Sequence, residues 1–138
     1  MGTRFIATKE APVHPNVKQA LLKATELDTR LIMRALRNTE RVLRNDAVDR
    51  LIEIERAKGK DLKIDDIMDQ VAGVYPRVMI DGDLDAGAWS CGMMVGLIND
   101  IPTVKELIDR IMRDAERIIR GRLIGFLDGN IAVDARVA

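Results

Sequence analysis

Between Thr103 and Ile119 one period repeats without interruption: Val104, Leu107, Ile108, Ile111, Met112, Ala115, Ile118 and Ile119 recur three or four residues apart. Side chains at that spacing share one face of an α-helix and cannot share one face of a strand. Pro102 precedes the stretch. Thr103 and Glu106 form the pair in which a hydroxyl and a carboxylate satisfy each other's orphan backbone N–H groups at a helix start. The chain is therefore committed to a long amphipathic helix ending near Gly121 or Gly125, and the fold has to place its apolar stripe. The last residues, 128–138, show no such period and predict a fraying tail.

Upstream the pattern changes several times. Residues 1–8 mix Phe, Ile and Thr and predict a strand, and Pro12 and Pro15 punctuate a turn. Proline suits a first helical position, so a helix is predicted from Pro15 with Val17, Leu21, Ala24 and Leu27 on its apolar face. Between Thr29 and Asn45, two apolar runs, Leu31 to Met33 and Val42 to Leu43, flank Arg37 and Asn38 and predict a β-hairpin. Asp46 is positioned to cap a helix carrying Val48, Leu51, Ile52 and Ile54 as far as Gly59. Ile64, Ile67, Met68 and Val71 predict a shorter helix ending near Gly73. Pro76 and the series Asp81-Gly82-Asp83-Leu84-Asp85-Ala86-Gly87 exclude one regular element over 74–87, and a further helix is expected from Ala88 to about Ile98. The expected class is α+β, mostly helical with a β-hairpin.

At 138 residues and 47% hydrophobic content the chain can bury one sizeable core. Twenty-two Lys and Arg balance 22 Asp and Glu, so no net field draws the chain to nucleic acid or an anionic membrane. No apolar run approaches the roughly 20 residues of a membrane span, and the N-terminal residues lack the pattern of a secretory signal, which predicts a cytoplasmic protein. With one Cys and one His, Cys91 and His14, no internal disulfide or Cys/His zinc site is possible, so a metal would need carboxylates alone.

Asp81, Asp83 and Asp85 open like a calcium-binding loop, but such a loop requires Gly at its sixth position and Glu at its twelfth, where Ala86 and Gly92 stand. Capped turns are the better account of these carboxylates, and no metal site is expected. Gly92 and Gly96 lie four apart beside the small Ser90 and Cys91, a surface that admits either another backbone or a flat ligand. Ser90, Cys91 and His14 do not make a nucleophilic site, because no base with an orienting partner is implied for them. His14 before Pro15 suits a helix cap. The arginines at 30, 34, 37, 41 and 44 could recognise phosphate, yet the balanced charge and the small aromatic content, one Trp, one Tyr and two Phe, favour a solvated, ion-paired face. Gly2 and Thr3 have the residue types that let a phosphate approach backbone N–H groups.

Four segments together carry a resemblance: MGTRFIATKEAPVHPNVKQA at 1–20, LIMRALRNTERV at 31–42, GDLDAGAWSCGMMVGLINDIPT at 82–103 and IIRGRL at 118–123. In order and spacing they resemble the nitronate monooxygenase family, formerly 2-nitropropane dioxygenases, and within it the members described as NADH:quinone reductases. That resemblance implies the last strand and helix of an FMN-binding TIM barrel over 1–27, an α+β lid domain over 28–100, a C-terminal helix returning to the barrel over 101–127, and the tail. It further implies FMN as cofactor and a nitronate, or a quinone with NADH, as substrate. Met1, Gly2 and Thr3 fall where the family meets the FMN phosphate, near the last barrel strands. Trp89, Ser90, Gly92 and Met93 fall in the lid facing flavin and substrate. The family's catalytic histidine and its glycine-rich phosphate loop lie in sequence that would precede Met1. The expectation is thus a chain with no catalytic residue of its own, inactive alone, whose surplus apolar surface favours homo-oligomers. The rival expectation is a noncatalytic helical domain that self-associates or binds a partner.

Overall fold

A computed structural model describes residues 1–127, which form two compact units, Met1–Ile101 and a second beginning at Pro102. In chain order the first unit contains helix α1 (Gly2–Ile6), helix α2 (Pro15–Lys23), strands β1 (Thr29–Ile32) and β2 (Glu40–Leu43), helix α3 (Asp46–Lys58), and short helices α4 (Met68–Val71) and α5 (Val74–Met79). The second contains α6 (Val104–Ile118), a wide π-type turn over Ile119–Leu123 and α7 (Ile124–Leu127). The fold is mostly helical with one antiparallel hairpin, as the sequence predicts.

The hairpin pairs Thr29 with Leu43 and Ile32 with Glu40. Beyond β2 the chain adds a third, very short extended stretch: Leu43 donates to the Trp89 carbonyl at 3.2 Å and Cys91 donates to the Arg41 carbonyl at 3.0 Å, with Ser90 opposite Val42. This corrects the helix expected from Ala88 to Ile98. The outer edge of β2 holds backbone groups that need partners, and a helix at 88–92 would leave them unpaired in the interior. Only Met93–Leu97 turns, as a 3₁₀ helix.

Residues 2–6 are also helical where a strand is expected. No strand lies beside them among the described residues, so the amides of Arg4 and Phe5 close onto the Met1 carbonyl instead. Helix α2 begins at Pro15 and buries Val17 and Leu21, but it stops at Lys23, before the predicted Leu27. Thr25 and Asp28 form a reciprocal cap that starts a separate 3₁₀ turn over Glu26–Asp28, which leaves Leu27 76% exposed. Helix α3 buries Val48 and Leu51 and ends at Gly59 as expected, and Gly73 takes the left-handed conformation between α4 and α5.

Two apolar clusters fill the first unit. One gathers Ala7, Val17, Leu21, Leu43, Val78 and Trp89; the other gathers Ile32, Val42, Val48, Leu51 and Ile67. Neighbours on β2, Val42 and Leu43, enter different clusters because side chains alternate across a strand. In the second unit, the Thr103–Glu106 box caps α6 as the sequence predicts. Lys105–Asp109 and Glu116–Arg120 pair along the helix at 2.5 and 2.8 Å, while Ile108, Met112 and Ile119 are exposed. Gly121 does not end the helix; the backbone widens into the π-type turn and continues to Leu127.

The cap of α3 is Asn45 rather than the expected Asp46. Asn45 Oδ1 accepts from Val48 N at 2.8 Å, while its Nδ2 donates to the carbonyls of Leu84 and Gly87 at 2.6 and 2.9 Å. Asp85 adds a bond from across the same junction by accepting from Asp46 N at 3.0 Å. Asn45→Ala removes a cap and two donors at once and is expected to cost about 2–3 kcal/mol. Asn45→Ser, which can retain a cap acceptor without setting a carboxylate against the Leu84 and Gly87 carbonyls, should lose less. Urea unfolding followed by circular dichroism measures both, and equal midpoints for wild type and Asn45→Ala would show that the junction contributes nothing.

Candidate flavin and lid site

The candidate residues lie at opposite ends of the first unit's sequence, and one hydrogen bond joins them. Gly92 N donates to Thr3 Oγ1 at 2.9 Å across 89 positions. Arg4 reinforces the junction: Nη1 donates to the Asp100 carbonyl and Nη2 to Asp100 Oδ1, both at 3.0 Å. In the sequence, only its place inside Met-Gly-Thr-Arg-Phe marks Arg4.

The face that this junction presents follows from strand geometry. In the extended stretch Trp89 to Gly92, alternate side chains point to opposite sides. Trp89 and Cys91 enter the core, 0% and 1% exposed, while Ser90 and Gly92 are exposed on the other side. Trp89, expected to face the flavin, is therefore wholly buried, and its indole N–H finds no hydrogen-bond partner among the described residues. Ser90 is held firmly. Its N–H donates to the Tyr75 hydroxyl at 3.1 Å, its Oγ lies 2.7 Å from that hydroxyl, and it donates to Glu40 Oε1. Tyr75 and Glu40 carry no local sequence signal and belong to this surface by tertiary contact alone. Met93 is exposed beside Gly92.

The two glycines serve different ends. A Cβ on Gly96 would stand 2.8 Å from Glu26 N, so backbone approaches backbone here and close packing accounts for the glycine. A Cβ on Gly92 would meet only Thr3 Oγ1, at 3.5 Å, which leaves that position open. Asp28, which holds the Thr25–Glu26 turn against Gly96, keeps its carboxyl below the usual 3.8 because Thr25 N–H and then the Thr25 hydroxyl donate to it.

At the N-terminal end, a Cβ on Gly2 would meet nothing within 4 Å, and Met1 is 81% exposed. Among the described residues no side chain makes a cap hydrogen bond to α1. Thr3 Oγ1 accepts from Gly92 and keeps its own hydrogen to donate. Open space beside Gly2 and a hydroxyl donor on Thr3 fit the phosphate of FMN.

The remaining candidates have structural tasks. His14 Nδ1 accepts from Asn16 N at 3.1 Å and caps α2, and its ring lies against Gly82. Asp83 pairs with Arg77 at 2.8 Å, while Asp85 serves α3. No helix among the described residues is long and apolar enough to cross a membrane.

The nitronate monooxygenase family model matches residues 1–114, and the chain belongs to that family, an oxidoreductase family. Two curated relatives share the description (3aS,4S,5R,7aS)-5-hydroxy-7a-methyl-1-oxo-octahydro-1H-indene-4-carboxyl-CoA dehydrogenase. The chain is 27% identical to the one from Mycobacterium tuberculosis and 29% to the one from Rhodococcus jostii, in each case over 83% of this chain. It spans 42% of the length of either relative. Among solved structures, FabK from Thermotoga maritima superposes with a TM-score of 0.77 at 30% identity, covering 91% of this chain and 39% of FabK. A point mutant of that FabK gives 0.72 at 29% identity.

Burial pushes the Cys91 thiol up to about 11. A thiol is reactive as its thiolate, so at pH 8 only about one molecule in a thousand is nucleophilic. Native protein should therefore react with a disulfide reagent at least a hundredfold more slowly than urea-unfolded protein at pH 8, with the native rate rising as pH climbs towards 11. Comparable native and unfolded rates would place Cys91 at the surface.

Proposed function

We propose that this chain supplies the phosphate end and the lid of an FMN-dependent oxidoreductase that oxidises small alkyl nitronates or reduces quinones with NADH in the cytoplasm. The observation that carries this reading is the Thr3–Gly92 hydrogen bond, which sets an open, uncapped Gly2–Thr3 end beside the exposed Ser90–Gly92 face. When bound, FMN supplies the redox chemistry, and the protein contributes position and electrostatics. The amides of Gly2 and Thr3 and the Thr3 hydroxyl donate to the phosphate. The bare face of Gly92 lets a flat ring lie close. Met93 and its neighbours Met94 and Leu97, all exposed, give the lid an apolar surface that excludes water. The one histidine, His14, is engaged in capping α2, which supports a catalytic base outside this set of residues. A second reading keeps the same site and changes the substrate to a CoA thioester, supported by the dehydrogenase descriptions of the two relatives. The exposed Ile108, Met112 and Ile119 of α6 support self-association or a protein partner as an alternative role.

Visible absorption with added FMN, followed by size exclusion, tests the site; flavin is expected to travel with the protein. Gly2→Phe adds bulk where nothing stands within 4 Å, so the circular dichroism spectrum should be unchanged while FMN affinity falls about tenfold or more. A colourless wild-type peak, or equal affinity in Gly2→Phe, would remove the phosphate assignment and favour the noncatalytic role.

A further inference from the structure

Of the five clustered arginines, three are engaged within the fold. Arg30 donates to the carbonyls of Leu27 and Thr29, Arg41 donates to Thr29 Oγ1 at 2.8 Å, and Arg44 pairs with Asp49 at 3.0 Å. Arg34 and Arg37 are different. Both are exposed, and neither pairs with a carboxylate among the described residues. No Asp or Glu occurs from Thr29 to Thr39, and the carboxylates at the base of the tip are engaged by other donors, Glu40 by the Ser90 hydroxyl and Glu55 by the Met33 N–H. The hairpin tip thus carries two guanidinium groups with no ion-pair partner among the described residues.

The tip is also built rather than loose. Arg37 N donates to the Arg34 carbonyl at 3.1 Å, which makes them the first and fourth residues of one turn, with Cα atoms within about 7 Å. Met33 on one side is 5% exposed, and its N–H donates to Glu55 Oε1 at 2.6 Å; its carbonyl accepts from Asn38 N at 3.3 Å. Leu36, between the two arginines, packs against the second apolar cluster. Met33 and Arg37 take positive φ, 57° and 54°, which side chains other than glycine rarely adopt. Strained backbone persists where its surroundings hold it, and here they hold a turn that projects two guanidinium groups into solvent.

We propose that the hairpin tip binds the diphosphate of a coenzyme, with Arg34 and Arg37 each placing a planar fork on one phosphoryl group. Guanidinium groups match phosphate oxygens in a bidentate manner, and two forks within one turn suit two linked phosphates better than a single anion. Coenzyme A and a pyridine dinucleotide both carry this group. The site is separate from Gly2 and Thr3 and stands whether or not FMN binds there.

Calorimetry on the full chain at low salt tests it with coenzyme A, NADPH, inorganic diphosphate and sulfate. The diphosphate-bearing probes are expected to bind at least tenfold more tightly than sulfate, with affinity falling as salt rises. Arg34→Gln combined with Arg37→Asn, Asn being tolerant of left-handed backbone, should weaken binding tenfold or more and flatten the salt dependence. Arg34→Gln alone, which spares the strained position, should weaken it about threefold. Arg113→Gln on α6 should leave it unchanged. A tenfold preference for coenzyme A supports an acyl carrier as the ligand, a preference for NADPH supports a hydride carrier, and equal affinities support recognition of the diphosphate alone. Diphosphate binding no tighter than sulfate, full affinity in the double variant, or an equal loss in Arg113→Gln would each overturn the proposal.

Discussion

The backbone pairing of β2 with the Trp89–Cys91 stretch organises the first unit. A two-stranded hairpin in water is marginal by itself, and β2 has an outer edge that must be satisfied. The Leu43 N–H to Trp89 and the Cys91 N–H to Arg41 close that edge. Because side chains alternate, the same pairing drives Trp89 and Cys91 into the core and turns Ser90 and Gly92 outward. Burial of the largest side chain in the unit and exposure of the candidate ligand face are therefore one event.

Polar groups then fix the junctions that apolar packing leaves free to slide. Asn45 joins the start of α3 to Leu84 and Gly87, Thr3 joins α1 to Gly92, and Arg4 joins it to Asp100. Such bonds contribute about 1 kcal/mol each, but their geometry selects one arrangement among several of similar burial. The candidate site inherits its definition from them: Thr3 holds the Gly2–Thr3 end beside the Ser90–Gly92 face, and Tyr75 with Glu40 holds Ser90 in place. Membership of the nitronate monooxygenase family agrees with this arrangement, since residues 1–114, which contain every one of these contacts, are the part that the family model matches.

The clustered arginines show how a sequence pattern divides once it is folded. Five similar residues along 30–44 look like one basic surface, yet three are drawn into local carbonyls, a hydroxyl and a carboxylate, and two stand clear on a strained turn. Spacing cannot make that division, because it depends on which acceptors the hairpin brings within reach.

Periodicity and caps were legible from residues alone where the determinants are local. The α6 stripe with its Thr103–Glu106 box, the hairpin, the start of α2 at Pro15 and the stop of α3 at Gly59 each depend on neighbours within a few positions. The motif Met-Gly-Thr-Arg-Phe and the run Gly-Ala-Trp-Ser-Cys-Gly likewise marked both halves of the candidate site in one dimension. Tertiary structure decided what local preference leaves degenerate. Trp89 to Gly92 is compatible with a helix until β2 offers it an edge; Gly2–Ile6 is compatible with a strand, but no partner strand lies beside it among the described residues. The apposition of Thr3 and Gly92, 89 residues apart, exists only because two long stretches of chain close on a shared core, and no local pattern encodes that closure.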